Sequence, residues 1–152
     1  MSTIRARAWW LLVAIAVVIA VFGLTDMASG LLADRAITTV ITGLGVDEVL
    51  AQDPAGYRLA DFMSRTQGLN LLLLGVLFTI VLVVPYRAGR RWAWRAMWLL
   101  PAWAVLVPGM YLVFGTAPGA PAAPPMLSGP IVGLVAAGIL LLDRRRVSEP
   151  GT

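Results

Sequence analysis

An all-α, integral-membrane bundle of four helices is the fold class this sequence predicts. Three observations carry that expectation. Apolar residues gather in four long blocks, no window alternates convincingly between apolar and polar residues, and the arginines are distributed unevenly about the blocks. The chain of 152 residues is 59% apolar and 13% charged, with a mean hydropathy of +0.83. About a quarter of the residues in ordinary soluble domains are charged, so lipid is the main solvent expected here. Backbone in hydrocarbon must satisfy its own hydrogen bonds, which leaves helices as the spans.

The first block, AWWLLVAIAVVIAVFGL (8–24), is at the lower length limit for crossing a hydrocarbon core of about 30 Å. It follows Arg5 and Arg7 and precedes the small residues MASG (27–30), an arrangement that also fits a secretory signal. Its apolar stretch exceeds the roughly 7–15 residues of a signal core, so it reads as a retained span. The second span covers about 68–86, the third about 92–114 and the fourth about 126–142. Between them lie an outer loop (25–66), the turn between spans 2 and 3, a proline-rich outer loop (115–125) and a tail (143–152). The chain is read as one membrane domain.

Arginine placement predicts orientation. Arg5, Arg7, Arg87, Arg90, Arg91, Arg95, Arg144, Arg145 and Arg146 fall on one side, against Arg35, Arg58 and Arg65 on the other. The excess of positive charge marks the cytoplasmic side, so both termini and the central turn are expected there, in a cell (inner) membrane. The segment RRWAWRAMW (91–99) then marks a helix entering the membrane. Arg91 and Arg95 lie at headgroup level, and Trp92, Trp94 and Trp98 form an interfacial belt, as Trp9 and Trp10 do for span 1. Spacings of three residues pair Arg91 with Trp94 and Arg95 with Trp98 in expected cation–π contacts, which would help Arg95 snorkel to the surface.

All basic residues are arginine, a usage that fits a GC-rich genome. With these charges at membrane boundaries, the pI near 10.7 does not point to nucleic acid, and no nucleic-acid partner is expected. Cysteine and histidine are both absent, which excludes disulfides, thiolate or imidazole metal ligands and Ser-His-Asp or cysteine nucleophile systems. No glycine-rich phosphate loop is found. Neither a cofactor nor a metal is expected.

The outer loop is net acidic, with Asp26, Asp34, Asp47, Glu48, Asp53 and Asp61 against three arginines. Ile37, Val40, Ile41 and Leu44 have amphipathic helical spacing, with Asp34 as the expected cap and Gly43 at the end. A short helix is expected over 46–52. Asp53-Pro54 then reads as a cap and first helical residue, opening a helix that runs into span 2 for about 45 Å, projecting outward or bending near Gly68. The loop is thus expected to be a folded helical cap. The five prolines of 115–130 predict an extended spacer.

Within the spans, Gly129, Gly133 and Ala137 form a small-residue face on span 4, for which packing inside the chain is the default and pairing with a second copy the alternative. Pro101 and Pro108 should kink span 3, leaving the carbonyls of Met97 and Ala104 poorly satisfied, and Trp103 and Tyr111 are placed to line a cavity. Gln67, Asn70 and Thr79 are the polar residues of span 2. Asn70, an amide in hydrocarbon, is expected to act as helix–helix glue. No acid falls in the centre of a span, which gives ion-coupled transport weak support.

The segments TGLGVDEVLAQDP (42–54), RTQGLNLLLLG (65–75) and YRAGRRWAWRAMWLLP (86–101) resemble a group of small, uncharacterised bacterial four-span membrane proteins. Arg87, Gly89, Arg91, Trp92, Ala93 and Trp94 match the pattern that opens the third span in that group. The span count is also similar to that of DoxX-like four-helix proteins. Neither resemblance implies an activity or a catalytic residue. Besides membrane lipids, the expected partner is another protein or a second copy, for a non-enzymatic accessory or assembly protein. The alternative is binding or passage of a lipid or other apolar molecule within the bundle. Acid–base catalysis by Asp47, Glu48, Asp53 and Asp61 is a third reading.

Overall fold

The computed structural model describes residues 8–148, apart from the side chains of 114 and 144–148. Arg5, Arg7 and the side chains of Arg144, Arg145 and Arg146, which contribute to the expected orientation, lie outside it. The described residues are predominantly helical and contain no strand. Four helical segments are long and apolar enough to cross a membrane: Trp9–Leu32, Pro54–Tyr86, Arg91–Val113 and Pro124–Asp143. The chain is a multi-pass membrane protein built as a four-helix bundle.

Helix α1 (Trp9–Ser29) is continued by a 3₁₀ turn (Gly30–Leu32). The cap follows as α2 (Arg35–Thr42) and α3 (Val46–Gln52). Gly43 ends α2 at φ 75°, a left-handed conformation that favours glycine. Glu48 reaches back to accept a hydrogen bond from the Gly45 amide at 2.7 Å, fixing the start of α3. The Asp53 carboxylate accepts from the Gly56 amide at 2.9 Å and so caps α4 (Pro54–Val81). Two expectations are corrected in this region. The Asp34 side chain does not cap α2 but binds Ser64, and Thr38 is buried on α2 while Ile41 is exposed. α4 runs unbroken through Gly68, its 28 residues forming one helix about 42 Å long.

The reason lies in packing. On α4 the buried or half-buried positions Ser64, Gly68, Leu71, Gly75 and Phe78 recur in alternating steps of four and three, which keeps one seam against α1. Side chains at Gly23 and Gly68 would collide with the facing helix backbone, and a Cβ at Gly75 would lie 2.5 Å from the Ala20 amide nitrogen. Glycine thus lets α1 and α4 run together at close range, where dispersion replaces the missing hydrophobic drive.

Proline shapes the other half. Around Pro85 the end of α4 widens into a π turn (Leu82–Tyr86), with the Arg87 amide donating to the Leu82 carbonyl at 3.1 Å. Span 3 is broken into α5 (Arg91–Ala96) and α6 (Leu99–Phe114) one turn before Pro101. The Met97 carbonyl, deprived of the Pro101 donor, instead accepts from the Leu100 amide at 3.1 Å, so it is satisfied at the cost of a break. Pro108 interrupts nothing. The proline-rich stretch is shorter than expected, because α7 (Pro124–Ser148) begins at the Pro124-Pro125 pair and runs through Pro130. Missing donors in a first helical turn have no partner to lose.

α1 packs along α4 and α6 along α7, whereas contacts between these two pairs are sparser. The shared core of Leu12, Ala16, Leu82, Ala93, Met97, Leu100 and Leu140 gathers at the end carrying the 87–90 turn. At the opposite, cap end, the Ala117 amide donates to the Val40 carbonyl at 2.8 Å and joins α2 to the 115–123 segment.

Candidate functional site

Polar side chains converge at both ends of the bundle. At the cap end, Arg65 on α4 donates from Nη1 to the carbonyls of Met27 (3.1 Å) and Ala28 (2.7 Å), and from Nε to Asp61 Oδ2 at 2.8 Å. The other Asp61 oxygen accepts from the Leu31 amide at 3.0 Å. One arginine thus satisfies carbonyls orphaned at the end of α1, while its carboxylate partner holds the following turn. Nearby, Ser64 Oγ donates to Asp34 Oδ2 at 2.7 Å. These acids are engaged in holding helix ends together. Among the described residues, no three carboxylates gather closely enough to hold a metal ion.

At the turn end, the Tyr86 hydroxyl donates to Asp143 Oδ2 at 2.8 Å, and Trp94 Nε1 donates to the Leu140 carbonyl at 2.9 Å. Asp143 is 2% exposed, and among the described residues its Oδ1 has no hydrogen-bond partner. Asp143 therefore belongs to the bundle and not to a solvated tail, as the span boundary at 142 implied. Its place beside an arginine run hides this; its hydrogen-bond partner Tyr86 lies 57 residues away in sequence.

The tryptophan belt differs from the expected pairs. Trp94 meets Trp98 edge-on at 6.0 Å, and the cation–π contact shown places Arg87 6.0 Å from the centroid of Trp9, which is stacked on Trp10. Arg91, Trp92 and Arg95 are exposed near the start of α5. On α7, Gly129 faces the Ala104 carbonyl and Pro108, and Gly133 faces Val105 and Pro101, so the small-residue face is occupied by α6. Ala137 is half-buried beside the fully buried Ala136.

An apolar groove of about 360 Å³ runs between α1 and α4, lined by residues including Val17, Val21, Leu24, Leu72, Val76 and Ile80. It also includes Thr79, whose hydroxyl donates back to the Gly75 carbonyl at 2.8 Å. Trp103 and Tyr111, both half-buried on α6, do not border this groove. Gln67 and Asn70 are exposed on α4, so among the described residues Asn70 joins no helices. No family model, curated protein or solved structure matches the chain.

Proposed function

We propose that this chain is a non-enzymatic accessory or assembly protein of a bacterial inner membrane, acting through helix–helix contact in the bilayer. The carrying observation is the use made of the cap acids. Of the four acids of the catalytic reading, Glu48, Asp53 and Asp61 each accept from a backbone amide that fixes a helix end, which gives three of them structural roles and leaves Asp47 exposed on α3. Helical spans, in contrast to the closed barrels of outer membranes, support the inner-membrane placement. Arg87, Arg90 and Arg91 support a cytoplasmic turn and cytoplasmic termini, as does the likeness of residues 86–101 to the small four-span group. Crosslinking in native membranes followed by mild-detergent purification tests the proposal. A reproducible complex with another membrane protein is expected, and recovery of this chain alone or solely with itself overturns it.

The apolar groove favours a second reading, retention of a lipid chain between α1 and α4. Val17→Trp and Val76→Trp would fill it. Native mass spectrometry should then show less co-purified lipid, and unchanged lipid would remove this reading.

A further inference from the structure

The outer face of α4 is built as a second helix-pairing seam. From Leu59 the residues Leu59, Met63, Thr66, Asn70, Leu73 and Leu77 follow alternating steps of four and three, the repeat that keeps one stripe facing a partner helix. All are exposed, with Leu59 at 64% and Leu73 at 58%. This stripe lies opposite the Gly68 and Gly75 seam that holds α1.

Lipid covering is the default for an exposed apolar stripe, but two independent features of this one argue against it. First, Arg65 and Arg87 are 22 residues apart, about 33 Å along a helix, which matches the hydrocarbon thickness between two charged boundaries. Asn70 then lies about 7.5 Å inside the boundary at Arg65. The span hydroxyls Thr25, Thr66, Thr79 and Ser128 each bond back to a carbonyl of their own helix. The Asn70 amide, with two donors and a carbonyl acceptor, makes no side-chain hydrogen bond among the described residues. Second, Leu59, Phe62 and Met63 continue the apolar face beyond Arg65, where lipid tails no longer cover it.

We infer that this seam binds a second copy of the same chain, α4 against α4 in parallel. Copies inserted with one topology share an orientation, so a two-fold axis along the membrane normal places each seam residue opposite itself. Asparagine is its own complement in that arrangement, offering a donor and an acceptor to an identical amide. In heptad terms Asn70 takes an a position, where a single asparagine sets register and oligomeric state. The charged residues Arg58, Asp61 and Arg65 fall at the outer c and f positions, so none meets its like across the axis.

The chain has no cysteine, which makes disulfide trapping clean. In vesicles containing the full chain, Met63→Cys and Leu73→Cys should give an oxidised homodimer, and Leu106→Cys on the exposed face of α6 should not. Asn70→Leu should weaken dimerisation by about three- to thirty-fold, the range expected for an interhelical bond in lipid, while Asn70→Gln retains most of it. Equal crosslinking at Leu106, no crosslinking at any site, or an unaltered dimer in Asn70→Leu overturns the inference. Trapping of Leu73→Cys exclusively to a different protein also overturns it, and would support the heterologous partner proposed above. A homodimer found alone would have the reverse meaning.

Discussion

Tyr86 donates its hydroxyl hydrogen bond to Asp143 at 2.8 Å, joining the end of span 2 to the end of span 4 in a fully packed environment. The bond links the two tight helix pairs and so helps hold them together. Tyr86→Phe leaves the ring in place and strips a donor from a buried carboxyl group, which costs about 1–3 kcal/mol. Thermal unfolding of the detergent-solubilised chain, followed by helical circular dichroism, should show the loss. Combining Tyr86→Phe with Asp143→Leu should restore part of the stability, because the carboxyl group stranded by the first substitution is gone. A single variant as stable as the parent would contradict this role.

Glycines facing α1 and glycines facing open space should respond oppositely to substitution. Gly75→Ala forces a methyl group toward the Ala20 backbone, and overpacking of this kind costs about 1–3 kcal/mol. A Cβ at Gly109 or Gly138 would meet no atom within 4 Å. There, alanine should be neutral or stabilising by up to about 1 kcal/mol through its better helix propensity. The same unfolding measurement separates the two classes, and equal effects would mean that α1 and α4 do not approach as closely as described.

Arg65 should resist replacement by lysine. Its guanidinium spans two carbonyls and one carboxylate, a fork that a single ammonium group does not reproduce. Its side chain is 43% exposed, which screens the charge, so Arg65→Lys and Arg65→Met should each lose roughly 1 kcal/mol. Amide hydrogen exchange at residues 30–32 should accelerate in both variants, because Asp61, released from Arg65, holds the Leu31 amide. Unchanged exchange would separate Arg65 from the anchoring of this turn.

Local chemistry made much of this fold legible in the sequence. Apolar blocks located the four spans, and Gly43, residues 46–52 and Asp53-Pro54 marked the cap helices, because each signal acts within a few residues. What stayed hidden depends on which helix lies alongside. Gly68 and Gly75 are seven residues apart and matter because the backbone at Asp26 and Met27 and at Ala20 faces them from another span. Asp143 sits before three arginines and reads as solvated until Tyr86 bonds to it. The Pro124-Pro125 pair looked like a spacer because a helix's first turn tolerates the same residues that break its interior. Asn70 was visible as an amide in hydrocarbon, but the direction in which it points is set by the α1 seam on the opposite side of α4.

The central claim is a four-span chain whose cap and whose 87–90 turn lie on opposite sides of one bilayer. Single cysteines placed at Thr39 on α2 and at Ala88 in the turn, both exposed, test it most directly when intact cells and then permeabilised cells receive a membrane-impermeant thiol reagent. Thr39→Cys should react in intact cells, and Ala88→Cys should react only after permeabilisation. Reaction of both positions from the same side would contradict the four-span arrangement.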